Sequence, residues 1–318
     1  MVQPKALWFL GVLLTVFGAI APNAPAVAQT GAPEKRDITF GVLPITNYAV
    51  VYLAVKERFF EEQGLNVTPR MIGNVSPVAA LVGGDFDIAG ITWPAFLVAY
   101  NRGIPLVPVS EADRGTPGNA NFLVKADSPY QKPADLLGKK VGVVTVGGVC
   151  DFILNDHLRS QNLDYKTISY TPIGVPDMAP TLLRGGIDAA CVPEPLLTAV
   201  KAQGGVRPVM DLFTGEYKDW PLVGFPVTEK FSQTNTNTVA ALKRALAKAL
   251  KFAHDNPGKI RETFPTYTTL KPEQTARITL SFTPEKSDLT QVKRVAEVMD
   301  RLNVLPTKLK LPPSVEGR

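Results

Sequence analysis

Chemistry needs groups that can ligate a metal, move a proton or attack a carbonyl, and this sequence offers few of them. Its two histidines, His157 and His254, fall in segments with helical patterning. Neither has the spacing of a metal motif, and there is no His-Glu-x-x-His, paired Cys-x-x-Cys or Gly-x-Ser-x-Gly. Asp156 beside His157 reads as a solvated helix pair. Asp85 and Asp87 are spaced like paired acids, but Asp87 opens a strand pattern that recurs at Asp188, which suggests structure. No metal, cofactor or catalytic residue is expected. The two cysteines, Cys150 and Cys191, can close one disulfide in an oxidising compartment or remain two buried thiols.

The sequence does supply short polar and aromatic residues where strands end. Thr46, Asn47 and Tyr48 follow the first strand pattern, and Thr92 and Trp93 follow the third. Gly73, Asn74, Val75 and Ser76 precede a helix. The second half offers Val146, Gly147, Gly148, Val149, Cys150 and Asp151, then Glu194. Such side chains hydrogen-bond a solute, glycines let backbone approach it, and Tyr48 or Trp93 can stack on a ring. Each also has a local role open to it. Asn74, Ser76 or Asp151 can cap a helix, Trp93 can fill a core, and Glu194 can be fixed at a helix start.

Strands alternating with helices must position these loops. Ile38–Pro44 reads as a strand, Val50–Gln63 as a helix ended by Gly64, and Leu65–Thr68 as a strand. Helices follow at Pro77–Val82 and Pro94–Asn101, with the strand Phe86–Ile91 between them. That order predicts a parallel sheet covered on both faces. It then recurs. An offset of 101 places Gly41 on Gly142, Gly84 on Gly185, Asp87 on Asp188, Ala89 on Ala190, Pro94 on Pro195 and Gly103 on Gly204. One offset over separated blocks argues for two similar lobes. Asn121–Lys125 and Leu222–Val227 read as the strands that cross between them. The expected layout is residues 36–120 for the first part of lobe one and 121–221 for lobe two. The return strand and a helical remainder of lobe one would occupy 222–318. Val239, Leu242, Leu246, Leu250 and Ala253 line one face of a helix there, with Lys243, Arg244, Lys248 and Lys251 mostly elsewhere.

The N-terminus reads as a secretory signal peptide. Lys5 is followed by the apolar run Ala6–Ile20, a turn-prone stretch and Ala26-Val27-Ala28. Cleavage after Ala28 would expose Gln29 and leave about 290 residues. The rival, a membrane anchor, needs roughly 20 apolar residues, more than this run has. Apolar residues at 45% and charged residues at 20% suit an ordinary folded core. The net charge of +5, or +4 without Lys5, is mild and interspersed. It slightly suits an anionic solute. With no basic cluster interleaved with aromatics, nucleic acid is not an expected partner.

These blocks together resemble the periplasmic substrate-binding proteins of ABC importers, closest to the branch for sulfonates, taurine, nitrate and thiamine pyrimidine precursors. The matching stretches are Gly41–Tyr48, Arg58–Val67, Ala80–Ala89, Asp135–Val143 and Gly185–Pro195, in order over nearly all of residues 38–300. The resemblance implies a type II fold, in which two hinged lobes close on a small-molecule solute. It also implies a monomer, free in the periplasm, that docks on a membrane permease and its ATPase. Such folds bind beyond the carboxyl ends of their strands, where helix N-termini converge. The expected contacts are therefore Asn47, Tyr48, Asn74, Ser76, Thr92, Trp93, Gly147, Gly148, Cys150, Asp151 and Glu194. An enzyme on the same fold, related to thiamine-pyrimidine formation, and a solute sensor are the alternatives. A sulfonate or nitrate would favour hydroxyl side chains at helix N-termini, but lobe two offers Gly147-Gly148-Val149-Cys150. The candidate loops carry no Lys or Arg, and Glu194 would repel an anion. A planar or heteroaromatic solute between Tyr48 and Trp93 is the competing expectation.

Overall fold

The structure, a computed structural model, describes residues 1–2, 31–73 and 75–317. The signal peptide expected over 1–28, beyond its first two residues, and the candidate Asn74 lie outside the described residues. The named elements all belong to the unit Ala32–Arg318.

Strand β1 (Asp37–Val42) buries Ile38, Phe40 and Val42 and pairs in parallel with β2 (Asn66–Met71) and β3 (Ile88–Ala89). Helices α1 (Ala49–Lys56) and α2 (Pro77–Gly83) make the connections. The expected strand Phe86–Ile91 breaks at Gly90. Beyond it, β4 (Ile91–Thr92) leaves for a second, antiparallel sheet with β5 (Leu106–Arg114) and the returning β11 (Pro221–Thr228). The Gly90 amide still donates to Gly41 O at 3.0 Å. A Cβ on Gly90 would lie 2.0 Å from the Tyr48 ring, so this seam requires glycine. Helix α3 (Trp93–Asn101) follows β4 directly.

The other lobe holds β6 (Ala120–Lys125), β7 (Lys140–Val143), β8 (Ser169–Pro172), β9 (Ala189–Pro193) and β10 (Val206–Asp211). They lie in the order β10-β6-β9-β7-β8. Helices α4 (Val149–Ser160), α5 (Val175–Leu183) and α6 (Leu196–Gln203) accompany them. The expectation of parallel sheets holds only for β1–β3 and β7–β9. Strand β6 runs antiparallel to β9 and β10, and β11 antiparallel to β4 and β5. A strand that arrives directly from the other lobe, without a crossover helix, can run against its neighbours.

The offset of 101 has a physical basis. Asp87 accepts from the Thr39 amide at 3.0 Å, and Asp188 accepts from the equivalent Lys140 amide at 2.9 Å. Gly41 pairs with Ala89 and Gly142 with Ala190. Ile72 N donates to Val42 O as Ile173 N donates to Val143 O. Each carboxylate thus fastens the first strand of a lobe to the loop that leads into its third. The loop that starts the first helix is fastened differently in the two lobes. In lobe one the Tyr48 hydroxyl donates to Gly90 O at 3.1 Å. In lobe two a disulfide joins Cys150 to Cys191, the position equivalent to Gly90, with Cα atoms 6.2 Å apart. Of the two states the cysteines allowed, the structure takes the bonded one.

The helix expected over Val50–Gln63 stops at Lys56. Arg58 turns left-handed at φ 60°, and with that break adjacent Phe59 and Phe60 both become buried. After β11 come α7 (Glu229–Thr234) and α8 (Thr236–Asp255), whose Leu242, Leu246 and Leu250 are fully buried. On its basic face Arg244 and Lys248 bond Gln63 and Glu62. Glu34 caps α8, accepting from the Asn237 and Thr238 amides at 3.0 and 2.9 Å. Those bonds hold its carboxyl down at about 2.

Candidate functional site

The loops that follow equivalent strands face each other across a cleft. Leu43-Pro44 follows β1 and Val144-Thr145 follows β7, while Ile72, Gly73, Val75 and Ser76 follow β2 and Ile173–Pro176 follow β8. They enclose an outer cleft of about 780 Å³. Leu43, Val144 and Thr145 also wall a deeper chamber of about 80 Å³. That chamber sits between the strand ends and the two inter-lobe crossings, where Asn119, Ala120, Phe213 and Leu222 close it.

Five expected residues line the chamber: Asn47, Tyr48, Thr92, Gly148 and Cys150. The Asn47 amide donates to both Asp113 oxygens, at 3.0 and 2.9 Å, which leaves its carbonyl oxygen for other partners. Burial pushes the Asp113 carboxyl up to about 6, against the bonds from Asn47 and Ser281. Burial likewise raises the Tyr48 phenol, with the Asp113 charge adding to it. Thr92 stands at the N-cap of α3 but makes no cap bond, and its buried hydroxyl meets no partner among the described residues. Gly148 caps α4, where a Cβ would lie 2.8 Å from Thr145 O, so only glycine permits this close turn. Ser76 lies on the outer cleft.

Four expected residues line neither cavity. Trp93 is fully buried beneath β11, where a Cβ on Gly224 would come 2.4 Å from its ring. It is core, so the expected stacking of a solute between Tyr48 and Trp93 does not fit this arrangement. Glu194 turns away from the cleft to accept from Thr198 N at 3.0 Å, Thr198 Oγ1 at 2.6 Å and Thr279 N at 3.1 Å. Burial raises its carboxyl against those bonds. Its backbone joins the lobes, since Thr46 N donates to Glu194 O at 3.2 Å and Glu194 N to Asn119 O at 2.9 Å. Gly147 donates at 2.6 Å to Asp151, whose other oxygen is buried without a partner among the described residues. Burial pushes Asp151 up to about 6, with the amides of the α4 start pulling it down.

Asn119, Thr145, Phe213, Leu222 and Val223 also line the chamber and were not expected. Thr145 continues the β7 loop and could have been found from the offset, as the equivalent of Pro44. The others lie on or beside crossing segments, which carry no local signal of a site. The lining chemistry is amide, hydroxyl, aliphatic and aromatic, with one carboxylate, Asp177, on the outer cleft, and among the described residues it contains no Lys, Arg or His.

A model of the NMT1-like family matches residues 31–266. No curated protein matches the chain. Among solved structures it is similar to the alkanesulfonate-binding protein SsuA from Xanthomonas axonopodis pv. citri bound to MOPS. The TM-score is 0.72 at 19% identity, over 88% of this chain and 98% of that one. The periplasmic nitrate-binding protein NrtA from Synechocystis PCC 6803 gives 0.71 at 16% identity, over 87% and 84%. The periplasmic aliphatic sulphonate-binding protein SsuA from Escherichia coli gives 0.66 at 18%, over 89% and 97%. Likeness at these identities establishes the two-lobed α/β fold of periplasmic binding proteins.

Proposed function

The chain belongs to the NMT1-like family, and we propose that it is the solute-binding component of an ABC-type importer. It captures a small molecule between its lobes and presents it to a membrane permease driven by an ATPase. The observation that carries this reading is the position of the chamber, between equivalent loops of two repeated lobes and against both crossings. Each lobe alone covers one side of a solute, so contact with both favours the closed state. Asn47, Tyr48, Thr92, Gly148 and Cys150 are the proposed contacts, with Ser76 on the rim. Asp151, Gly147, Trp93 and Glu194 support the walls from behind.

Binding proceeds without turnover. The chamber lining offers amides, hydroxyls and aliphatics, and nearby Asp113 is engaged by Asn47. The protein acts as an exported monomer with Gln29 as its mature terminus, consistent with the signal-peptide pattern and with a disulfide. The test is mass spectrometry of protein from a periplasmic extract, first intact and then denatured to release a co-purifying solute. A mass beginning at Gln29, a released small molecule recovered unchanged after incubation, and compaction in X-ray scattering on re-addition are expected. Conversion of that molecule, or protein held in washed membranes with Lys5 intact, would overturn the reading.

A further inference from the structure

Two buried asparagines set the hydrogen-bonding polarity of the inner chamber. Asn47 follows β1, Asn119 precedes β6, and both line the chamber. The Asn47 side-chain amide donates to the two Asp113 oxygens at 3.0 and 2.9 Å. The Asn119 amide donates to Thr279 O at 2.9 Å and to Thr46 Oγ1 at 3.3 Å. Neither amide can turn over freely. A flipped Asn47 would set its oxygen against a carboxylate, and a flipped Asn119 would set its own against the Thr279 carbonyl, both of which only accept. Each asparagine therefore spends its donors on the protein, and its carbonyl oxygen accepts from no described residue.

Other donors near the chamber are also committed. The Tyr48 hydroxyl donates to Gly90 O at 3.1 Å. At the start of α4, Gly147 N donates to Asp151 at 2.6 Å, so the first-turn acid of that helix already holds the positive end that an anion would need. The Thr92 and Thr145 hydroxyls remain, and a hydroxyl can donate or accept. Most of the wall is apolar, with Leu43, Ile45, Val144, Leu212, Phe213 and Leu222 on it. An anion placed there would meet two carbonyl oxygens, with the Asp113 carboxylate behind one of them and no Lys, Arg or His among the described lining residues. A cation would give up its hydration to a mostly apolar wall. A neutral donor on an apolar frame meets neither cost, and it satisfies buried oxygens that are normally hydrogen-bonded.

Resting on the proposed solute capture, we infer that the chamber selects a compact, neutral, apolar end of the solute that carries an N–H donor for the Asn47 and Asn119 carbonyl oxygens, and that Asp113 sets this preference. Asp113 is a positioning residue. By holding the Asn47 donors it fixes which end of that amide the solute meets. The volume of about 80 Å³ suits one small group, and the outer cleft of about 780 Å³ receives the rest of the solute.

Ligand-observed NMR titration of the full mature protein tests this at pH 8, where Asp113 is ionised. The probes are pyrrole, furan (a ring of the same size that cannot donate) and methanesulfonate. Pyrrole should bind about five-fold tighter than either of the others, the gain expected of one net hydrogen bond. Asp113→Asn gives Asn47 an amide neighbour against which it can turn, and should bring the affinities for pyrrole and furan together. A merely structural role for Asp113 would weaken both probes alike and leave their ratio unchanged. Asn119→Leu should weaken pyrrole about five-fold and leave furan where it is. Circular dichroism checks that both variants fold. A measurement on the wild type stands apart from them: the Asn47 side-chain amide protons should stay protected from exchange when pyrrole binds. Loss of that protection, furan or methanesulfonate binding as tightly as pyrrole, no pyrrole binding at about 10 mM, or an unchanged ratio in folded Asp113→Asn overturns the proposal and leaves solute capture standing. Solute capture falls separately, if the extracted protein releases no small molecule.

Discussion

Replacing Gly90 with alanine sets a methyl carbon 2.0 Å from the Tyr48 ring. Gly90 cannot retreat, because its amide is bonded to Gly41 at the seam between two sheets. The ring must move, and Tyr48 is only 2% exposed, with Phe225 tilted against it at 6.4 Å. Overpacking of a filled core costs about 1–3 kcal/mol. The hydroxyl bond from Tyr48 to Gly90 O adds about 1 kcal/mol if it is lost. Gly90 has no positive φ, so backbone strain does not contribute. The expected loss is about 2–4 kcal/mol. Tyr48→Ala alone should cost about 3–5 kcal/mol, as for other large aromatic truncations. Once the ring is gone, the added methyl has room. Gly90→Ala should then cost less than about 1 kcal/mol, giving a coupling of about 2 kcal/mol. Urea unfolding of the four proteins, followed by tryptophan fluorescence and far-ultraviolet circular dichroism, measures the cycle. If the two substitutions add to within about 0.5 kcal/mol, the contact does not hold the seam and the reasoning is wrong.

Two further outcomes are expected. The disulfide closes a loop with a sequence separation of 41, so Cys150→Ser with Cys191→Ser should lower unfolding free energy by about 4 kcal/mol. Maleimide labelling of denatured, unreduced wild type at either cysteine would refute the bond. The second concerns pH. Burial raises Asp113 and Asp151 to about 6 in the folded protein, so the folded state keeps protons that the unfolded state has released. Their contribution to stability is present at low pH and is lost as pH rises through about 6, on the order of 1 kcal/mol per group between pH 5 and 7.5. Chemical denaturation across that range measures it, and Asp151→Asn should remove one group's share. Glu34, held down at about 2, acts oppositely, its cap on α8 being lost as pH falls from about 4.5 toward 2. Stability that rises steadily from pH 5 to 7.5 would contradict the assignment of the two buried acids.

The offset of 101, the strand cores and most helix starts were legible because they rest on local rules. Asp87 and Asp188 bond an amide on an adjacent strand, and Gly41 and Gly142 pair with small residues, so the same short motif is written twice. The end of α1 was not legible. Its pattern runs on to Gln63, and only the burial of both Phe59 and Phe60 shows why Arg58 turns. The site was half legible. Strand ends pointed to Asn47, Tyr48, Thr92 and Gly148, but a strand end does not say which side chain faces the cleft. Trp93 went under β11, and Glu194 went to Thr198 and Thr279.

By itself, then, the sequence determined two repeated α/β lobes and the loops from which a site is built, since propensity, periodicity and turn residues act over a few neighbours. The tertiary structure alone decided the rest. It brought Asn119, Phe213 and Leu222 from the crossings to the chamber, joined Cys150 to Cys191, and set β6 and β11 antiparallel to their neighbours. Those outcomes depend on which segments distant in the chain meet across a packed core, and no local pattern encodes that meeting.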